Sequence, residues 1–216
     1  PRYYAFRIQT RSNSKPQHEG KLLSFEIELK AHVYNRKEVI EKLNSVAQYL
    51  GHTYKKDTYY HLPQNITVRL RNQIEDTFMQ NQTVSKTNNY FTYKKKETKV
   101  CENGTEIEVN IENETLVENP AALEQLFFDL GGKIAYTKEK DVEHWNYTTQ
   151  NETLHAELCT VPPLGDFLEI EVIKEVQDEQ TVQKITKLQE QLLSDCNIPL
   201  SQIEPKYYSQ MLKEIN

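Results

Sequence analysis

Residues Phe25–Val33 read FEIELKAHV. Glu26, Glu28 and Lys30 alternate with Ile27, Leu29 and Ala31. That is the period of a β-strand, whose successive side chains point to opposite faces. Such alternation ordinarily marks a strand with one face in the core and a charged face in water. The charges turn inward instead where a sheet encloses a channel or a binding site. The rest of the sequence decides between these readings.

Charges recur two residues apart in other strand-like stretches. The acidic pairs are Glu26/Glu28, Glu106/Glu108 and Glu169/Glu171, and the basic pairs are Arg69/Arg71, Lys94/Lys96 and Lys138/Lys140. Apolar residues lie between or beside them, among them Ile27, Leu29, Val68, Leu70, Ile107, Val109, Leu168, Ile170 and Val172. One such strand is a wet outer face. Six are harder to explain so, because three helical stretches also carry apolar faces and need a surface to pack on. The apolar faces of the strands supply it, which turns the charges inward. Lysine and arginine suit phosphate oxygens, and clustered carboxylates suit Mg²⁺ or Mn²⁺. A polyphosphate bound with a divalent metal satisfies both sets.

The helical stretches are Arg36–Leu50, with Gly51 as its stop, the segment opened by Asn119-Pro120 and ended by Gly131-Gly132, and roughly Asp178 to Leu193. Strands are predicted at 3–10, 22–34, 53–62 and 65–72, the last two split by a turn at Pro63-Gln64. A hairpin turns at "ENG" (102–104), and strands cover 133–147, 152–161 and 166–173. Residues 73 to 88 are polar and read as an excursion loop, and the segment from Leu200 reads as mostly helical. Hairpins dominate, so the sheet is expected to be antiparallel, with about eight strands closing into a barrel.

The 216 residues allow one domain or a small pair, and 20 Tyr and Phe among them argue against disorder. A net charge of −6 disfavours general nucleic-acid binding, and no apolar run is long enough to span a bilayer. No signal-peptide pattern leads the chain, whose first residue, Pro1, is consistent with processing or excision. Cys101, Cys159 and Cys196 fit neither a disulfide framework nor a zinc cluster, which suggests a reducing, cytoplasmic compartment. The six Asn-X-Thr triplets, at Asn65, Asn81, Asn103, Asn113, Asn146 and Asn151, are then chance in an Asn-rich chain. Trp145 is expected to pack, Tyr207 and Tyr208 to dock the last helix, and His18, His32, His52, His61 and His144 show no metal-ligand spacing.

The ordered set of motifs resembles the CYTH domain of the triphosphate tunnel metalloenzymes. "FEIELKAHV" is similar to its opening ExExK signature, "KDTYYHLP" to its "DTYF" segment, "VRLR" to its RxR strand and "FTYKKKE" to its "TYK" strand. "TEIEV", "TKEK" and "LGDFLEIEV" resemble its later acidic, basic and acidic strands. "IEPKYYSQML" looks like the closing helix of class IV adenylyl cyclase-type members. The resemblance covers roughly residues 22 to 214, leaving 1–21 as an N-terminal extension before a tunnel domain at 22–216.

The resemblance implies an α+β protein: an eight-stranded, mainly antiparallel closed β-barrel, the triphosphate tunnel, with helices packed outside. It implies Mg²⁺ or Mn²⁺ held at Glu26, Glu28, Glu169 and Glu171, with Glu106 and Glu108 assisting. Lys30, Arg69, Arg71, Lys94, Lys96, Lys138 and Lys140 would hold phosphate oxygens, and Lys30 and Lys138 would be catalytic. The implied chemistry is cyclisation of ATP to cyclic AMP and pyrophosphate, or hydrolysis of tripolyphosphate, thiamine triphosphate or nucleoside triphosphates. The implied partner is a triphosphate-containing small molecule, with no nucleic acid or membrane, in a monomer or homodimer. In two places the chain departs from the pattern. Cys159 stands where an Asp is usual, and a soft thiol is a poor Mg²⁺ ligand; it is either a small buried residue or is replaced in function by Glu157 and His155 on the same strand face. Lys140 stands where an Arg is common. A non-catalytic polyphosphate or nucleotide binder, and a plain barrel with solvated outer charges, are the rival readings.

Overall fold

The alternation that defines FEIELKAHV continues across a single antiparallel sheet. The computed structural model describes the backbone of residues 6–7, 25–79, 82–100, 106–174 and 178–215, and the side chains of 27–76, 83–93, 113–174 and 178–215. The strands are β1 (Phe6–Arg7), β2 (Phe25–Val33), β3 (Gln48–Leu62), β4 (Ile66–Met79), β5 (Gln82–Val100), β6 (Glu106–Leu116), β7 (Lys133–Thr148), β8 (Thr153–Val161) and β9 (Gly165–Lys174). The helices are α1 (Arg36–Val46), α2 (Pro120–Asp129), α3 (Glu179–Asp195) and α4 (Tyr208–Ile215). The order across the sheet is β1-β2-β9-β8-β7-β3-β4-β5-β6.

One face of the sheet is apolar and carries helices. Ile27, Leu29, Ala31 and Val33 of β2 pack with Leu154, Ala156 and Leu158 of β8 and with Leu168, Ile170 and Val172 of β9. Val39 and Leu43 of α1 and Ile185, Leu192 and Leu193 of α3 close over them. Gln189, buried on α3, donates from Nε2 to the carbonyls of Ile27 (2.9 Å) and Ile170 (2.8 Å), pinning the helix across the β2–β9 seam. A smaller cluster sets Phe127 of α2 against Tyr60, Val68 and Leu70. Trp145 lies in the main core and donates to Asn44 Oδ1 at 2.9 Å, a packing residue as expected. Side-chain caps at Asn35, Asn119 and Asp178 start α1, α2 and α3.

Several boundaries differ from the sequence reading. α1 stops at Val46, and residues 48–50 already belong to β3. Gly51 is no helix stop. It sits within β3 at a register shift opposite β7, at φ +140°, where an added Cβ would lie 2.7 Å from the Asp76 carbonyl oxygen. Residues 73–79 and 82–88 are strand where a loop is expected, because β4 and β5 continue their ladder to the Met79–Gln82 pair; 80 and 81 lie outside the described residues. The stretch from Leu200 is only partly helical: a short 3₁₀ turn (200–202), a bridge from Ile203 to Ala31, then α4.

Closure of the barrel is the other difference. Among the described residues no backbone pairing joins β6 to β1, although the two come within 8 Å by Cα distance. The turn at 102–104, Cys101 and most of the N-terminal extension lie outside the described residues.

Candidate functional site

The charged residues of β2, β3, β4, β7, β8 and β9 alternate with the core residues and therefore share the opposite face. Register brings them together. Lys30, Glu169, Glu157 and His144 stand opposite one another on four adjacent strands, and Glu28, Glu171, His155 and Asn146 form the next row. Asp57 of β3 faces Arg71 of β4 on one side and Lys138 of β7 on the other. Ile27 and Leu29 thus face the helices and Lys30 faces a charged interior, with only 9% of its surface exposed.

Asp57 is the hub of the basic part. It is fully buried and receives Arg71 through both forks, Nε to Oδ1 at 2.7 Å and Nη2 to Oδ2 at 3.0 Å. Lys138 Nζ lies 3.5 Å and Arg69 Nη1 3.9 Å from Oδ2. Arg69 also donates to Thr92 Oγ1 and, at 2.7 Å, to Glu114 Oε2. Burial pushes the Asp57 carboxyl up, but Arg71, Lys138 and Arg69 outweigh it and hold it well below the usual carboxylate range. Burial lowers the Lys138 ammonium, with Lys140 and Arg71 adding to the effect against the pull of Asp57. Asp57 and Glu114 are two carboxylates beside three cations, which leaves local positive charge, the condition for attracting an anion.

The acidic part is organised by lysines. Lys140 Nζ bridges Glu169 Oε2 (2.6 Å) and Glu157 Oε2 (3.1 Å), and Lys55 Nζ holds Glu157 Oε1 at 2.9 Å. Burial raises both carboxyls, but Lys140 brings Glu169 down to about 2, and Lys55 and Lys140 hold Glu157 well below its ordinary range. Cys159 Sγ is fully buried, 3.8 Å from Glu169 Oε2 and 4.0 Å from Glu157 Oε2. Burial raises its thiol well above the ordinary range, so it is protonated. Glu157, Cys159 and Glu169 converge as donors, yet the Lys140 ammonium already sits on both carboxylates.

The C-terminal segment reaches this face. Glu204 N–H donates to the Lys30 carbonyl at 2.8 Å, and Lys30 Nζ donates to the Lys206 carbonyl. Tyr208 of α4 is buried against Val142, Cys159, Val161 and Phe167. Its ring centroid lies 4.3 Å from Lys30 Nζ, 5.3 Å from Lys138 Nζ and 5.7 Å from Lys140 Nζ.

The structure therefore gathers Lys30, Arg69, Arg71, Lys138, Lys140, Glu28, Glu157, Glu169 and Glu171 on one face. The side chains of Glu26, Lys94, Lys96, Glu106 and Glu108 lie outside the described residues. Sequence reasoning missed Asp57 and Lys55 as members of the site. The signal was present, since Lys55, Asp57 and Tyr59 continue the two-residue period of β3. It also passed over His144, which register places opposite Glu157.

Fold and site define an α+β protein whose antiparallel sheet carries helices on one face and a buried, two-signed charged site on the other. The chain belongs to the CYTH domain family, whose model matches residues 24–208. Members of this family bind triphosphate substrates and depend on divalent metals. Among solved structures, the chain is similar to the PH1819 protein from Pyrococcus horikoshii OT3, at 22% identity and a TM-score of 0.64 over 88% of this chain and 99% of that one. The PH1012 protein of the same organism matches at 28% identity and a TM-score of 0.57, over 86% of this chain and 98% of that one. A provisionally named adenylate cyclase from Vibrio parahaemolyticus matches at 14% identity and a TM-score of 0.59, over 87% and 97% of the two chains. No curated protein sequence matches significantly. No helix among the described residues is long and apolar enough to cross a membrane.

Proposed function

We propose that the charged face binds the triphosphate of a small molecule together with Mg²⁺ or Mn²⁺ and carries out class IV adenylyl cyclase-like chemistry, ATP to cyclic AMP and pyrophosphate. The observation that carries this reading is the Asp57 hub: three cations converge on one fully buried carboxylate. Such a cluster keeps excess positive charge that a triphosphate neutralises. Arg71, Arg69 and Lys138 take its non-bridging oxygens, and Lys30 and Lys140 extend the cradle toward the acidic rows. Asp57 keeps the two arginine forks in place when the site is empty.

The donor set fits a hard divalent ion. Glu28, Glu169 and Glu171 lie on the facing strands β2 and β9 and offer only oxygen. When bound, the ion neutralises charge developing on the phosphate oxygens. Lys138, whose ammonium burial and like charge destabilise, regains stability beside an anion, and with Lys30 is the group placed to hold charge on the leaving pyrophosphate. The site is proposed to lie in a tunnel completed by β5 and β6, in a chain that works in the cytoplasm as a monomer or homodimer.

The alternative is a triphosphatase, with water in place of the ribose hydroxyl. A non-catalytic binder is the second alternative, favoured by the neutral Cys159 thiol and by Lys140 seated on Glu169. Incubation of the protein with Mg²⁺ or Mn²⁺ and ATP, tripolyphosphate or thiamine triphosphate separates them. Cyclic AMP with pyrophosphate supports the cyclase. Orthophosphate supports the triphosphatase. No product, with a melting temperature raised by triphosphate, supports the binder, and no product and no shift overturns all three.

A further inference from the structure

A second donor cluster lies one strand further along the same face, and its chemistry differs. His144 on β7 and His155 on β8 bring Nδ1 and Nε2 within 3.1 Å of each other. Glu157 Oε1 lies 3.5 Å from His144 Nδ1 and 3.8 Å from His155 Nε2. Two ligands on one metal ion with bonds of about 2.1 Å lie about 3.0–3.5 Å apart in octahedral or tetrahedral geometry. The three atoms are therefore spaced much as ligands on a common ion are.

The outward nitrogens are also held. His144 Nε2 is 2.8 Å from Thr53 Oγ1, and His155 Nδ1 is 3.3 Å from Asn146 Oδ1. When each outward nitrogen donates to its oxygen, the inward nitrogens present lone pairs to one point beside a carboxylate. Such outer hydrogen bonds orient ligating imidazoles. Lys55 occupies one lone pair of Glu157 Oε1, leaving the second, and Lys140 holds the other oxygen.

The geometry points to a borderline divalent transition-metal site at His144, His155 and Glu157, distinct from the all-oxygen site of Glu28, Glu169 and Glu171. Two imidazoles and one carboxylate select ions such as Zn²⁺ or Co²⁺ over Mg²⁺. Where His144 Nδ1 donates to His155 Nε2 in the free chain, its proton moves to Nε2 on binding, and the Thr53 hydroxyl rotates from donor to acceptor. Without an ion, the same atoms form a plain chain from Thr53 through His144 and His155 to Asn146, and that chain is the alternative the experiment must exclude.

Tag-free, metal-depleted protein is titrated calorimetrically with ZnCl₂, and separately with Co²⁺ followed by its visible absorption. One ion per chain is expected, with a Co²⁺ spectrum lacking a thiolate charge-transfer band. His144→Ala and His155→Ala are expected to abolish binding, Thr53→Val to weaken it about 10-fold, and Glu171→Gln and Cys159→Ser to leave it in place. Excess Mg²⁺ is expected not to compete. Imidazole NMR of the native chain needs no variant: stoichiometric Zn²⁺ is expected to shift the His144 and His155 rings and leave His61 unmoved. No binding by the native chain, binding that survives His155→Ala, or rings that do not shift would overturn the site and leave an ordinary imidazole hydrogen bond. The outcome does not depend on triphosphate, so its failure leaves the proposed function standing.

Discussion

Asp57→Asn removes the charge from the hub while keeping its shape. The native carboxylate is fully buried, takes both forks of Arg71 and lies within 3.9 Å of Arg69 and Lys138. Asparagine keeps one acceptor for Arg71 but removes the charge that faces Arg71 and Lys138, while Arg69 keeps Glu114. Breaking a buried pair by removing one partner costs about 3–5 kcal/mol, whereas an exposed pair contributes about 0–1 kcal/mol. For a chain of this size that corresponds to a melting temperature about 6–20 °C lower. The excess positive charge also makes the variant more dependent on an anion. Tripolyphosphate at 100 times its dissociation constant adds about 2.7 kcal/mol, and the variant is expected to recover a larger part of its loss than the native chain gains. The assay is differential scanning calorimetry with and without tripolyphosphate. A shift within about 2 °C, near what an exposed pair allows, would refute the inward reading of the charges.

Acid should unfold the chain through its buried carboxylates. Glu169 is held down to about 2 from an ordinary 4.5, so its contribution is fully present above about 4.5 and lost as the pH falls toward 2. That shift corresponds to about 3 kcal/mol, and equilibrium denaturation between pH 6 and 2 should show stability falling through this window; a flat profile would contradict the ion pairing with Lys140. Cys159→Asp places a third carboxylate about 4 Å from Glu157 and Glu169. Without metal it should cost about 2–4 kcal/mol, and Mn²⁺ should raise its melting temperature more than that of the native chain. An equal Mn²⁺ response in both would mean that the ion does not use this wall.

What the sequence made legible followed from how completely each element's neighbours were written in its own period. FEIELKAHV showed its two faces because Ile27 and Leu29 answer to α3, whose own stripe of Ile185, Leu192 and Leu193 was equally readable. The strand pairing of 73–79 with 82–88 was invisible for the opposite reason. The face that Leu70 and Phe91 share runs on through Asn72, Asp76, Ser85, Thr87 and Asn89, so the apolar alternation lapses there. Gly51 has the look of a helix stop, and only the approach of the Asp76 carbonyl reveals a strand irregularity. The site was partly legible in the same way. Paired charges announced the face, but His144 and His155 are 11 residues apart, and only the β7–β8 register brings them onto Glu157. The Asp57 hub depends on β3 lying between β4 and β7, a neighbour relation that spacing does not encode.

The central claim is that this buried, two-signed face is a site for a metal-bound triphosphate. Calorimetric titration of the native chain and of Arg71→Ala with tripolyphosphate, in the presence and absence of Mg²⁺, tests it most directly. The account predicts saturable one-to-one binding that Mg²⁺ strengthens and that Arg71→Ala weakens at least about 10-fold, the loss of one charge-assisted bidentate contact of about 1.5–3 kcal/mol. No binding by the native chain, or equal binding by Arg71→Ala, would contradict it.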